Sequence, residues 1–391
     1  MNVPNRAIPG ADHFLAGFRV QRYSKRQVKE AGAIIAAWNP YPYSDEVGDA
    51  FRLAHEWRDA HVVPMRAARK ELKELARRAK VRGQTAARLK RFQSIRHKLR
   101  RRPLSLYQMQ DIAGARIIVE TIEDVDAVAA RYRAQQSQHE YIDEDDYITA
   151  PKVGGYRSVH FVLKYAGDEE LTGGNRLTVE VQVRTRLQHA WATAVEAVGT
   201  VRNEQLKGGQ GDRDWLRFFA IMSAEFAMEE GRQLVPNVSD AAGERRTELL
   251  ELVARLDALN TLSGYRDAIR EIDKFESFPG TSFLIELNNI TRRVSIKTSP
   301  TFRGLAADYE AAEKNEASNA VLVEVDKVGE LISAYPNYFL DVEMFTNRLR
   351  RLVGVQEIGT DAGDPAPGHR GSPMNEWLAR WVMRSNRWRR V

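Results

Sequence analysis

The sequence predicts an α+β protein: a mixed β-sheet flanked by helices, followed by a helical segment and a second small α+β unit. Three observations carry that expectation. Residues 44–205 alternate helical and extended patterns in the order α-β-α-β-β-α, which suits one mixed-sheet domain. Within it, "NRLTVEVQVRT" (175–185) alternates Val179, Val181 and Val183 with Glu180, Gln182 and Arg184, as a half-buried strand does. Beyond residue 280, "SFLIEL", Asn288-Asn289 and "ITRRVSIK" have the pattern of a hairpin.

Each element has its own signal. Residues 44–80 read as one long helix, with Phe51, Leu53, Ala54, Trp57 and Ala60 spaced for one buried side. Gly83 interrupts it, helical character resumes over about 85–101, and Pro103 stops it. "ARIIVE" (115–120) is a strand, 122–136 a helix and "DEDDY" (143–147) an acidic loop. "VGGYRSVHFVLKY" (153–165) is a second strand led by two glycines, and 186–201 is helical. "KGGQGD" (207–212) reads as a linker or surface loop, with helices over 213–230 and 242–275. A helix at 303–316, the strand "AVLVEVD" and helices near 327–334 and 341–353 complete the second unit. The expected organisation is an N-terminal segment (1–43), a catalytic domain (44–205) and a C-terminal domain (206–355). A Gly/Pro-rich linker (356–373) and a basic aromatic tail (374–391) follow. The tail's Trp377, Trp381 and Trp388 sit among arginines, a pattern that docks on the protein itself, a nucleic acid or a membrane surface.

Composition narrows the function. The chain has 391 residues, 43% of them hydrophobic and 29% charged, and no apolar run long enough to span a membrane. The first residues, "MNVPNRAIPGADHF", have no apolar signal-peptide core, so a cytoplasmic location is expected. With no cysteine, disulfides, Cys-ligated zinc and thiol catalysis are excluded. The net charge is +6, and its excess is concentrated between Met65 and Pro103, where only Glu71 and Glu74 oppose a dense run of Lys and Arg. Such a block either attracts polyanions or forms a solvated helix face.

The chemistry-bearing residues gather around the strands. Asp111 precedes the first and Glu180 lies in the third; two carboxylates on neighbouring strands suit Mg²⁺, which completes its shell with water and phosphate. Lys90, Ser94 and Lys98, at i, i+4 and i+8, line one side of the basic helix, with Arg88 two residues earlier. Gly154 and Gly155 allow a close backbone approach or a positive φ. Tyr156 can stack on a base, and Lys152, Arg157 and His160 can contact phosphates.

"GYRSVH", "DIAGARIIV" and "EVQVRT" resemble the signature segments of RelA/SpoT-type synthetases, and "RLKRFQSIRHKL" resembles the ATP-binding stretch of the small alarmone synthetases of that family. The resemblance covers about 44–205 and implies a nucleotidyltransferase-type fold that moves pyrophosphate from ATP. It implies that Arg88 and Arg116 sandwich the adenine, and that Lys90, Ser94 and Lys98 bind the ATP phosphates. Asp111 and Glu180 would place Mg²⁺, with Glu180 also activating the attacking hydroxyl. Tyr156 would stack on the acceptor purine, Lys152, Arg157 and His160 would hold acceptor phosphates, and Gln182 and Arg184 would complete the pocket. His189 and Glu196, on the following helix, would reach or support it. The acceptor is expected to be GDP or GTP, giving the (p)ppGpp alarmones of the stringent response. The alternatives are a toxin-antitoxin type relative that pyrophosphorylates the 3′ end of tRNA, and a nucleotide sensor without turnover. There is no His-Asp dipeptide, so no alarmone hydrolysis is expected. Small synthetases of the family often assemble, which makes a homo-oligomer possible for this chain.

Overall fold

The computed structural model describes residues 22–38, 44–168, 170–202, 204, 206–267, 282–288, 294–299, 302–315, 318–324 and 342–354. In chain order the helices are α1 (Lys25–Ala37), α2 (Asp45–Asp59), α3 (Val62–Arg78), α4 (Phe92–Arg101), α5 (Ile122–Arg133), α6 (Arg186–Arg202), α7 (Arg213–Glu229), α8 (Ala242–Arg255), α9 (Ala258–Asp267), α10 (Ala306–Lys314) and α11 (Glu343–Val353). The strands are β1 (Gly83–Leu89), β2 (Ala113–Val119), β3 (Glu140–Asp146), β4 (Val159–Lys164), β5 (Thr178–Thr185), β6 (Ser282–Asn288), β7 (Val294–Ser299) and β8 (Ser318–Glu324). They form one mixed sheet in the order β3-β4-β5-β2-β1-β8-β6-β7. Only β2 and β5 run parallel; the other neighbours are antiparallel.

Four local expectations change. The long helix over 44–80 is two helices, α2 and α3, that part at Ala60 and His61. Pro64 explains the break: its missing N–H is harmless in the first turn of α3 but would disrupt the interior of a continuous helix. The helix over 85–101 is strand β1 followed by the shorter α4. Alanine-rich "QTAARL" has good helix propensity, yet seven register pairs with β2, from Gly83 opposite Val119 to Leu89 opposite Ala113, override it. The acidic loop is largely β3, an edge strand whose ladder slips between Tyr141 and Asp143. Its carboxylates suit an edge, because charge there discourages pairing with another chain. The helix over 242–275 is two helices, α8 and α9, within the described residues.

The second unit is continuous with the first. Strands β8, β6 and β7 extend the same sheet, joined through Ala87 opposite Glu324 and Arg88 opposite Val323. The expected helix at 327–334, the linker 356–373, the tail 374–391 and the turn after Asn288 lie outside the described residues.

The packing sets up one apolar and one polar sheet face. Ala113, Ala115, Ile117, Val179, Val181, Val183 and Phe161 point to one side, where α3 and α5 cover them. A second apolar cluster joins α6 and α7 to α8, α9 and α11. A third packs α1 and α2 on α4.

Candidate active site

On β5, β2, β1 and β4 the residues between the core positions share the opposite face. Register places His160 beside Gln182, Gln182 beside Arg116, and Glu180 beside Gly114. Arg88 lies opposite Gly114 and Arg116 opposite Ala86, so the two arginines are diagonal neighbours on that face. Strand alternation alone therefore collects His160, Glu180, Gln182, Arg184, Arg116 and Arg88.

Asp111 stands at the β1–α4 end of this face. Its two carboxylate oxygens meet Lys90 Nζ at 2.8 Å and Lys98 Nζ at 2.9 Å. Lys90 lies before α4 and Arg88 in β1, not on the basic helix as their spacing suggests, so the partnership of Lys90 with Lys98 comes from the turn between β1 and α4 rather than from helical spacing. That turn is held from both sides: Lys90 N–H donates to the Ile112 carbonyl at 2.7 Å, and buried Arg58 Nε donates to the Lys90 carbonyl at 2.7 Å. Burial pushes the Asp111 carboxyl up, but the charges of Lys90 and Lys98 outweigh it and hold it below the usual range. Burial also lowers the Lys90 ammonium, against the pull of Asp111. Ser94 sits half-buried on α4, one turn before Lys98.

Glu180 is the centre of a second polar group. His160 Nδ1 lies 3.1 Å from one of its oxygens, and Gln182 Nε2 donates to the other at 2.6 Å. The Tyr156 hydroxyl lies 2.8 Å from His160 Nε2. Burial raises the Glu180 carboxyl, yet these hydrogen bonds and the nearby cations bring it down to about 2. The repulsion of Glu180 also acts on Asp111, so the two carboxylates feel each other across the face.

The glycine-led loop differs from expectation in two places. Arg157 does not face the site: its side chain is 2% exposed and pairs with buried Glu230 at 2.7 Å. It is a structural ion pair, because a buried guanidinium needs a counter-charge and α7 ends by providing one. Tyr156 is only 7% exposed and belongs to the second apolar cluster, edge-on to Trp191, Tyr147 and His160. Its ring packs, and its hydroxyl holds His160. Gly155 has φ +92, and a Cβ there would meet Trp191 and Ser223 at 2.9 Å, so this glycine seats the loop on α6 and α7. Lys152 is exposed, with Nζ 3.9 Å from the Tyr147 ring centre.

Further residues support the face. Arg184 is buried, with Nη2 2.5 Å from His189 Nδ1. Glu196 on α6 pairs with Lys207; burial raises its carboxyl, but Lys207 overcomes this and holds it at about 2. Lys207 Nζ also lies 5.4 Å from the Tyr156 ring centre. Tyr147 and Lys207 escaped the sequence reading, one inside an apparent acidic loop and the other inside an apparent linker. The only sequence signal for Tyr147 is an aromatic residue closing the acidic run 143–146.

Much of the basic block is structural. Arg96 donates to the carbonyls of Ile35 and Trp38, and Arg100 to those of Ala36 and Trp38, which closes the C-terminal end of α1. Arg77 and Arg78 both engage Glu74.

Residues 87–201 match the family model described as "Region found in RelA / SpoT proteins". The chain is 31% identical over 160 residues to GTP pyrophosphokinase YjbM of Bacillus subtilis, spanning 40% of this chain and 70% of that protein. It is 31% identical over 157 residues to the GTP pyrophosphokinase of Escherichia coli K12, where the match covers 38% of this chain but only 19% of the relative. Among solved structures, the small alarmone synthetase 1 of Bacillus subtilis bound to its product pppGpp is 27% identical. That similarity covers 45% of this chain and 92% of the other, with a TM-score of 0.38. Among the described residues, no helix is long and apolar enough to cross a membrane. By the identity and coverage shared with YjbM, the chain belongs to the RelA/SpoT synthetase family, a family of pyrophosphotransferase enzymes.

Proposed function

We propose that this chain transfers pyrophosphate from ATP to the ribose 3′-hydroxyl of GDP or GTP, giving ppGpp or pppGpp. The observation that carries the reading is one sheet face on which Asp111, gripped by Lys90 and Lys98, stands across from the Glu180–His160 pair. Lys90, Lys98 and Ser94 would line the ATP phosphates, and the diagonal Arg88 and Arg116 would flank the adenine. Lys152, His160 and the accessible ring of Tyr147 would meet the acceptor, with Tyr156 keeping His160 in place.

In the reaction the 3′-oxygen attacks the β-phosphorus in line, the bond from that phosphorus to the α–β bridging oxygen breaks, and AMP leaves. Catalysis of this kind rests on positioning and charge neutralisation. Asp111 and Glu180 fit Mg²⁺, because two ionised carboxylates acting across one face match its usual protein share, with phosphate and water completing the shell. The ion would neutralise charge developing on the phosphates. At about 2, Glu180 is a weak base, which favours holding charge over abstracting the proton. His160 has both ring nitrogens engaged, Nδ1 by Glu180 and Nε2 by the Tyr156 hydroxyl, so it positions Glu180, and the 3′-hydroxyl proton would pass to water.

The test is transfer of label from γ-labelled ATP to GDP, GTP or deacylated tRNA, each offered separately to the purified chain with Mg²⁺. Label in a guanosine tetra- or pentaphosphate supports the proposal. Label on tRNA alone replaces it with a translation-blocking activity. ATP binding without AMP release replaces it with a sensor.

A further inference from the structure

The unit formed by β6, β7, β8 and α10 lies outside the matched family region, yet it meets the Lys90 end of the sheet at two points. Strand β8 pairs with the last residues of β1, with Val323 opposite Arg88. Helix α10 sets Tyr309 against Arg58 of α2, with the guanidinium carbon 4.5 Å from the ring centre. Tyr309 is buried in the same apolar cluster as Leu89, Leu284 and Leu322.

Arg58 is an unusual neighbour for that cluster, because a buried guanidinium needs hydrogen bonds and a counter-charge. Its Nε donates to the Lys90 carbonyl at 2.7 Å. Its Nη1 lies 3.3 Å from Asp59, whose side chain is 44% exposed and so only weakly compensates a buried charge. Among the described residues its Nη2 has no hydrogen-bond partner. The face of the Tyr309 ring supplies the missing contact, since a desolvated cation is attracted to an aromatic face. The carbonyl that Arg58 holds belongs to the residue whose ammonium meets Asp111 at 2.8 Å. A continuous line of contacts therefore runs from Tyr309 through Arg58 and Lys90 to Asp111.

We propose that Tyr309 is a positioning residue for ATP: it holds Arg58, which fixes the backbone of Lys90 and so the cation that meets the ATP phosphates. The C-terminal unit is then part of the donor site. The inference rests on the assignment of Lys90 to those phosphates and not on the identity of the acceptor. The acceptor residues give an internal reference, because His160 lies on β4, separated from β1 by β5 and β2.

Equilibrium dialysis of the full chain, with a non-hydrolysable ATP analogue and separately with GDP, tests this. Tyr309→Leu is expected to bind the analogue about tenfold more weakly, because small displacements of a positioned group are costly. Its affinity for GDP is expected to stay at the wild-type level. Tyr309→Phe keeps the ring face and is expected to restore the analogue affinity. Leu284→Ala, in the same apolar cluster, is expected to lower the melting temperature and leave the analogue affinity unchanged. Arg58→Lys keeps the charge but loses the Nε–H on the Lys90 carbonyl, so it is expected to show the same split and serves if Tyr309→Leu does not fold. Wild-type affinity for the analogue in Tyr309→Leu or, where that variant does not fold, in Arg58→Lys overturns the proposal. So does an equal loss of analogue and GDP, or a Tyr309→Phe as weak as Tyr309→Leu. Lys90→Ala separates the two assignments. Normal analogue binding in Lys90→Ala removes the phosphate assignment and this inference with it, whereas weak binding there and normal binding in Tyr309→Leu removes the inference alone. If transfer goes only to tRNA, the KM for tRNA replaces GDP as the reference, and a raised KM for ATP alone in Tyr309→Leu supports the proposal.

Discussion

On β5, Val179, Val181 and Val183 are fully buried against α3 and α5, whereas Glu180, Gln182 and Arg184 look the other way. Val159, Phe161 and Leu163 of β4 likewise oppose His160. The apolar face holds the sheet together and the polar face holds the charges, although they are a single residue apart. The comparison teaches that a one-residue shift of register would exchange stability for chemistry and lose both. Substitutions on the two faces should therefore separate cleanly into losses of turnover and losses of folding.

The largest separation is expected at Asp111. Asp111→Asn keeps the shape but removes the charge gripped by Lys90 and Lys98, so turnover should fall by about 10³-fold. The melting temperature should stay near that of the wild type; normal turnover at saturating Mg²⁺ would remove Asp111 from the mechanism. On the other face, Phe161→Ala should cost about 3–5 kcal/mol in denaturant unfolding, because the ring is fully buried against Tyr132. Its KM values, measured on the folded fraction, should hold. A stable Phe161→Ala protein with lost activity would break the comparison.

Arg157 sharpens it further, since the sequence assigns this residue to the acceptor and the structure assigns it to Glu230. Arg157→Ala leaves Glu230 buried without its counter-charge and should destabilise by about 3–5 kcal/mol. Arg157→Met/Glu230→Gln should recover much of that loss and bind acceptor normally. A raised acceptor KM in the double variant, with stability restored, would return Arg157 to the site.

Acid stability gives a smaller effect. Glu180 titrates at about 2 in the folded chain, against an ordinary value of 4.5. Unfolded chains then bind more protons between those limits, so stability from Glu180 is full above 4.5 and is lost as the pH falls towards 2. Glu180→Gln should flatten the drop in melting temperature between pH 5 and 3, and an unchanged drop would mean the polar face does not hold Glu180 ionised. The smallest effect is expected at Arg100→Ala, which removes donors from the exposed end of α1 and should cost about 1 kcal/mol or less. If RNA binding rather than stability is what falls, the basic block serves a polyanion after all.

The sequence alone determined the alternation of β5, the strand in "ARIIV" and the four segments that name the family, because strand period and motif spacing are properties of neighbouring residues. From these, Asp111, Glu180, Lys90, Lys98, Arg88, Arg116 and His160 were all legible as one set. Tertiary structure alone decided the rest. Strand β1 exists because β2 pairs with it, against its own helical composition. Arg157 turns inward because Glu230, distant in sequence, comes to meet it. Tyr156 is closed in by Trp191 and Tyr147, and Lys207 reaches Glu196 from a stretch with the composition of a linker. The physical reason is the same in each case: periodicity is set locally, but burial and ion-pair partners are set by contacts between segments far apart in the chain.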